Sequence, residues 1–390
     1  MQSPDDQQMT PRPTPAGSGW RQRVVHRVIA AATTVGNLAW NFGHAIADVE
    51  VIRNVKYGAH PTAHLLDIYR PRSAQRPLPV LLYIHGGAFV ICSKDTHRFL
   101  ALLNAERAGY LVFSINYRLA PKHKFPAAIE DACDAYRWVV HNAARYGGDP
   151  ERIIVAGESA GGNLALGVAI AATYERPEAY ARRVHELNMP PVGVMPLMPY
   201  LQTSNPGRRA ADPGVSILSL AVARYIARAY LEDATPGKKT LMADPIRVLE
   251  ECPAPARSFP TVFTGVGTAD MCCADSRRLE EACNRLGVPV QALYYEDEYH
   301  VFHAIHWRIA ARAFWRECID FMIELANQPK TNALAGSGSH RSELCPAVEA
   351  RRKPPVLATR PRFSPSERPL PVCQDPAGPA KLHHFRAAAA

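Results

Sequence analysis

The sequence has no run of apolar residues as long as the roughly eighteen needed to suggest an ordinary transmembrane helix, so none is expected. It also has no cysteine framework. Nine cysteines, an odd number, are scattered through 390 residues. A chain of this length can bury a core without disulfide staples. Reduced thiols are therefore expected, and with them the cytoplasm. Adjacent Cys272 and Cys273 make a poor geometry for a metal pair. No internal repeat is present. Acidic residues are the scarcer charge, 36 against 45 basic, which leaves a formal net charge of +9. Such a balance admits nucleic acid, membrane surface or acidic substrates as partners. Part of the excess lies in one cluster, Arg351, Arg352, Lys353, Arg360 and Arg362. The cluster falls in residues 328–390, a stretch rich in Pro, Arg and Ser without periodicity. A disordered, solvated tail is the expectation there, with no nucleic-acid partner.

Residues 1–19 are polar and Pro-rich, an expected disordered segment. Residues 24–47 carry apolar side chains at helical spacing: Val24, Val25, Val28, Ile29, Ala32, then Leu38, Phe42 and Ala45. Residues 20–48 are expected to form helices laid over another part of the chain. A membrane-surface role for them is open but not favoured. The uncharged stretch 28–40 follows Arg21, Arg23 and Arg27 and could mimic a signal peptide. It starts late, however, and Asp5 and Asp6 precede it, so secretion is the lesser expectation.

Strands and helices then alternate. Strands are expected at residues 64–69, 78–84, 110–117, 152–157, 192–197, 261–265 and 290–295. Helices are expected at 96–108, 127–144, after Ser159, and at 310–326. This rhythm implies a mostly parallel sheet covered on both faces. Residues 201–249 interrupt it. Within them 217–231 reads as a helix capped by Ser216, part of an insertion that could roof a site.

Two motifs carry chemistry. Gly157-Glu158-Ser159-Ala160-Gly161-Gly162 has the G-x-S-x-G form and sits between a strand and a helix. A serine on that sharp turn stands exposed above the sheet edge, provided the residues two positions either side are small. The bland alternative is an ordinary turn with a capping serine. His85-Gly86-Gly87-Ala88-Phe89 directly follows the strand ending at Ile84. Backbone amides of Gly87 and Ala88 (or Gly86), with that of Ala160, could form an oxyanion hole. His85 reads as structural, orienting its loop. Glu158 is expected to support the site.

With Asn116-Tyr117-Arg118-Leu119-Ala120-Pro121, Phe125-Pro126-Ala127-Ala128, Glu130-Asp131 and Gly147-Gly148-Asp149-Pro150, these motifs resemble those of the hormone-sensitive-lipase-like esterases. That group is the bacterial family IV branch of the α/β-hydrolases, and the resemblance spans about residues 50–326. One departure is Glu158, where the family usually has Asp. The elbow string also resembles the longer cholinesterase-type carboxylesterases, which lack the Tyr-Arg-Leu-Ala-Pro segment. The implied fold is the α/β-hydrolase fold, a mostly parallel sheet flanked by helices, with a helical cap from the N-terminal region and the insertion. The catalytic domain is expected over residues 49–327.

The acid and base should follow the serine in the order Ser, Asp or Glu, His. Asp270, after Gly267-Thr268-Ala269, and His300, before Val301-Phe302, fit the family's pattern. Asp275 as the acid, and His303 or His306 as the base, are competitors. His300 and His303 could be read as metal ligands, but no nearby carboxylate or cysteine spacing supports zinc. No metal or cofactor is expected. The resemblance implies hydrolysis of small-molecule carboxylic esters with short-to-medium acyl chains through Ser159, His300 and Asp270. An amidase, lactonase or acyltransferase would use the same triad. A hydrolase-fold receptor is the non-catalytic alternative. The sequence does not determine an oligomeric state.

Overall fold

A computed structural model describes residues 48–73, 77–212, 215–231, 238–305 and 307–329. The expected N-terminal segment and cap helices, up to residue 47, and all but the first two residues of the expected tail lie outside the described residues. His306 does as well.

The strands are β1 (Val49–Lys56), β2 (Leu65–Pro71), β3 (Leu78–Ile84), β4 (Leu111–Ile115), β5 (Gly148–Glu158), β6 (Gly193–Leu197), β7 (Thr261–Gly267) and β8 (Val290–Tyr295). The helices are α1 (Arg98–Ala108), α2 (Ala127–Asn142), α3 (Ala160–Thr173), α4 (Ala179–His185), α5 (Ile217–Leu231), α6 (Pro245–Glu251), α7 (Cys273–Leu286) and α8 (Ile309–Asn327). The eight strands form one sheet in the order β1-β2-β4-β3-β5-β6-β7-β8. The β1–β2 and β2–β4 pairings are antiparallel, and the other five are parallel.

Burial on both faces explains why the central strands are apolar throughout rather than alternating. In β3, Val80, Leu82 and Ile84 enter the core beneath α2, α3 and α4, while Leu81 and Tyr83 enter the core beneath α1 and α8. Every residue of α3 is buried, which its Ala, Gly and Leu composition allows. The strands expected from the sequence are present, and β5 starts earlier than expected, at Gly148. Strand β1 and helices α4, α6 and α7 went unread in the sequence. Strand β1 alternates poorly because it is an edge strand with half-exposed residues. Helices α4 and α6 are only seven residues long, too short to show a period.

Within the interrupting segment α5 has the expected bounds, and Ser216 Oγ accepts the Ser219 amide at 3.0 Å. The C-terminal end of α5 packs beside the loop after β3. Tyr230 stacks on Phe89 with ring centroids 4.0 Å apart, and its carbonyl accepts the Phe125 amide at 2.9 Å. No helix among the described residues is long and apolar enough to cross a membrane.

The Arg118 and Glu130-Asp131 segments form one device. The Arg118 guanidinium grips the buried Asp131 carboxylate through Nε at 2.9 and 3.0 Å and through one terminal nitrogen at 2.6 Å. It also reaches Glu130 at 2.9 Å, and its own amide donates to Asp131 at 2.7 Å. His64 Nε2 lies 2.9 Å from the same carboxylate. This pins the chain after β4 to the start of α2. Asp131→Ala would leave these donors without their acceptor, so a loss of about 3–5 kcal/mol is expected in urea unfolding.

Candidate active site

Parallel strands bring the loops that follow β3, β5, β7 and β8 to one edge of the sheet. The motif residues lie on these four loops. Ser159 joins β5 to α3 with φ 55° and ψ −116°, a strained conformation for a residue with a side chain. Its hydroxyl makes no capping hydrogen bond to the helix it opens, which removes the reading as an ordinary capping serine. Sterics explain the glycines either side. A Cβ on Gly157 would lie 2.5 Å from the Ile84 and Gly161 carbonyl oxygens, and one on Gly161 would collide with the Ile84 carbonyl oxygen. The elbow therefore fits only against the bare end of β3.

Ser159 Oγ lies 3.0 Å from His300 Nε2. The other ring nitrogen of His300, Nδ1, lies 2.9 and 2.8 Å from the two oxygens of Asp270. Asp270 is nearly fully buried, and its Oδ1 accepts the Cys272 amide at 2.7 Å. With Nδ1–H donating to the carboxylate, Nε2 is free to accept from the serine. Burial by itself would lower the pKa of His300. The Asp270 carboxylate overrides this and holds it well above the usual imidazole value.

The competitors lie elsewhere. Asp275 is buried on α7, paired with Arg208 and Arg209, and it accepts the Leu201 amide at 2.9 Å. It braces the base of the interrupting segment. The His303 ring packs between Phe314 and Trp315, and burial pushes its pKa down to about 4.

The loop after β3 turns sharply, with φ +113° at Gly87, 56° at Ala88 and 62° at Phe89. Among the described turn and loop hydrogen bonds, none begins at the amide of Gly87, Ala88 or Ala160. Gly86 is a correction to the sequence reading. Its amide donates to Glu158 Oε1 at 2.6 Å, so it is committed and not free to receive an oxyanion. Three of the four expected donors therefore remain. His85 is buried. Its Nδ1 lies 2.7 Å from the Gly86 carbonyl, its ring stacks on Tyr117, and burial holds its pKa down at about 3. A neutral ring suits a loop-orienting part.

Glu158 has partners that sequence reasoning missed. Besides Gly86, its carboxylate accepts from Tyr83 and pairs with His97 Nε2 at 2.7 Å. Burial would raise the Glu158 pKa, but His97 outweighs it and brings it down to about 2. Burial would likewise lower His97, yet Glu158 raises it. His97 precedes α1 and carries no motif, so only the fold reveals the pair.

The sign of the pair's contribution follows from these shifts. A depressed carboxyl stabilises the fold above its unfolded value near 4.5, and that contribution is lost as pH falls towards 2. A raised imidazole contributes below 6.5 and loses its share as pH rises through its folded value. Glu158→Gln should therefore be most destabilised, relative to the parent, between about pH 4.5 and 6.5. Urea unfolding of both proteins near pH 3, 5.5 and 8.5 measures this, and a gap that does not change with pH would refute the ion pair.

Comparison with known proteins fits this geometry. A family model described as the alpha/beta hydrolase fold matches residues 81–304. The carboxylesterase NlhH of Mycobacterium tuberculosis is 48% identical over 102 residues, 26% of this chain and 32% of that protein. The esterase LipI of the same organism is 34% identical over 239 residues, covering 57% of this chain and 66% of its own length. Hormone-sensitive lipase of Mus musculus is 38% identical over 163 residues, 40% of this chain and 20% of the lipase. The chain thus spans between about a fifth and two thirds of the length of these relatives. Among solved structures, a hyperthermophilic esterase from Pyrobaculum calidifontis is 26% identical with a TM-score of 0.64, covering 78% of this chain and 91% of that one. Esterase LipW from Mycobacterium marinum shares the fold at a TM-score of 0.65 and 24% identity, over 80% and 92% of the two chains. With the matched model spanning more than half of the sequence, on a sheet of this order with a strand–elbow–helix at Ser159, the chain belongs to the α/β-hydrolase fold family.

Proposed function

We propose that the protein is a serine hydrolase of carboxylic esters, with Ser159 as nucleophile, His300 as general base and acid, and Asp270 as the group that orients and stabilises His300. The observation that carries this reading is the continuous line from Ser159 Oγ to His300 Nε2 at 3.0 Å and from His300 Nδ1 to Asp270 at 2.8 Å. The names of the relatives, carboxylesterase and esterase, point the same way.

The chemistry follows from the geometry. His300 takes the Ser159 proton as Oγ attacks the ester carbonyl, and Asp270 stabilises the imidazolium that forms. The oxyanion develops beside the amides of Gly87, Ala88 and Ala160, the last of which opens α3, where the helix dipole adds positive potential. His300 then gives its proton to the departing alcohol. Water enters by the reverse sequence and frees the acid from Ser159. Glu158 acts through others, holding the Gly86 amide so that the loop of Gly87 and Ala88 stays against the elbow. The interrupting segment rests on Phe89, in the loop after β3, through Tyr230. The acyl chains taken are short to medium, and the family resemblance supports this.

A series of p-nitrophenyl esters of increasing acyl length tests both the reaction and the chain-length range. Ser159→Ala should lower kcat by about 10⁴–10⁶-fold with an unchanged circular dichroism spectrum, whereas turnover surviving in that variant would overturn the mechanism. The pH profile supplies a second test. The base must be neutral to accept a proton, so kcat/KM should rise with pH through the raised His300 value, on the alkaline side of 6.5. Asp270→Asn should move that limb towards lower pH and cut kcat by about 10⁴-fold. The same change at Asp275 should leave the limb in place, since Asp275 pairs with arginines and not with His300.

A further inference from the structure

Ester hydrolysis requires no thiol beside the Asp270–His300 pair, yet the fold puts one there. Cys272 precedes the first turn of α7, two residues beyond Asp270. One ligand atom from each of Asp270, Cys272 and His300 lies within 4.8 Å of the other two. Cys272 is wholly buried and Asp270 nearly so, while the His300 side chain keeps 31% of its exposure and opens the group to solvent. The first two donors sit on one short, braced segment. Asp270 Oδ1 accepts the Cys272 amide at 2.7 Å, and the Asp270 carbonyl accepts the Cys273 amide at 3.0 Å. The third donor stands on the loop after β8.

We propose that Asp270, Cys272 and His300 bind a borderline-soft divalent cation, Zn²⁺ or its analogue Cd²⁺, and that the bound ion reversibly inhibits the hydrolase. The sequence reading found no carboxylate or cysteine spacing for zinc around His300 and His303. The fold brings Cys272 and Asp270, rather than His303, beside His300. One thiolate, one carboxylate and one neutral imidazole carry two negative charges, which a divalent ion neutralises. Sulfur and nitrogen donors suit zinc and disfavour the hard cations Mg²⁺ and Ca²⁺, which take oxygen. Zinc bonds of about 2.0–2.3 Å in a tetrahedron space the ligand atoms by about 3.4–3.8 Å. The three donors already lie inside the 4.8 Å limit. His300 Nδ1, now 2.8 Å from Asp270, would move out to about 3.4–3.8 Å from it.

The mode of inhibition follows from proton balance. The ion takes the lone pair of His300 Nδ1, and the ring proton moves from Nδ1 to Nε2. The Cys272 thiol releases its proton to solvent as the metal–sulfur bond forms. Nε2 then carries a hydrogen and faces Ser159 as a donor, so it cannot accept the serine's proton. The ion also occupies Asp270, which can no longer stabilise an imidazolium. Binding stands on the geometry alone, whereas inhibition rests on the triad reading above.

The test uses the full chain and separates these two parts. Ser159→Ala protein titrated with Cd²⁺ should gain an ultraviolet thiolate-to-cadmium absorption band. Ser159→Ala/Cys272→Ala should lack that increment, and Ser159→Ala/Cys273→Ala should keep it. In protein with Ser159 intact, Zn²⁺ should suppress p-nitrophenyl acetate turnover, and EDTA should restore it. Loss of an outer-shell partner alone costs about 10–100-fold in metal affinity, so Cys272→Ala should raise the half-inhibiting Zn²⁺ concentration by at least about tenfold. Cys272→Leu, which fills the buried site, gives the same readout if the alanine variant folds poorly. A cadmium band and zinc inhibition that persist unchanged without Cys272 would overturn the proposal. A band without any ester turnover would keep the metal site and refute the hydrolase reading instead.

Discussion

The ends of β3 and β5 run side by side in parallel register, Ile84 opposite Gly157, and the chain leaves both strands at the same level. Everything at the candidate site hangs on that adjacency. The elbow at Ser159 can turn back into α3 only because Gly157 and Gly161 present no Cβ to the carbonyl oxygen of Ile84. The loop leaving β3 is then held against the elbow by the Glu158 carboxylate, which accepts the Gly86 amide at 2.6 Å. Candidate nucleophile and candidate oxyanion donors are thus fixed to each other through the backbone fit at Ile84 and the buried Glu158 carboxylate. This is the preorganisation that electrostatic stabilisation of a transient charge requires.

Glu158 and Asp270 are both buried carboxylates, and each lies against an imidazole. Their surroundings assign them different work. Glu158 is enclosed by Tyr83, His97 and the Gly86 amide, so its charge serves to hold backbone in place. Asp270 faces a histidine whose far nitrogen reaches Ser159, so its charge acts on a ring that can exchange a proton. His85 and His303, buried without such a partner within hydrogen-bonding distance, are driven to low pKa and stay neutral. Within one cluster, burial lowers His85 and His303, while a carboxylate in contact raises His97 and His300.

The legibility of the chain in sequence followed physical scale. Strand β3 was readable to the residue because seven consecutive apolar positions lie on a doubly covered sheet. Helix α5 was readable because a fifteen-residue amphipathic period has a capping serine before it. The motif around Ser159 was readable because the elbow tolerates so few residues. His97 and Cys272 were not readable, since neither lies in a period or a spacing rule. Their partners are 61 and 28 residues away in the chain, Glu158 and His300 respectively. The Gly86 amide shows the same limit from the other side. A glycine in the loop motif looked like an oxyanion donor until the fold supplied a nearer acceptor.

The sequence by itself determined the alternation of strands and helices, the small residues of the elbow and the chain order Ser159, Asp270, His300. These depend on local sterics and on hydrophobic period, which act over a few residues. Tertiary structure alone decided which carboxylate faces His300 and that the Gly86 amide is taken by Glu158. It also decided that Asp275 belongs to arginines and that a thiol stands against the Asp270–His300 pair. Those outcomes depend on which loops the sheet order brings to one edge. That order is set by burial on both faces of the whole sheet and not by any single segment.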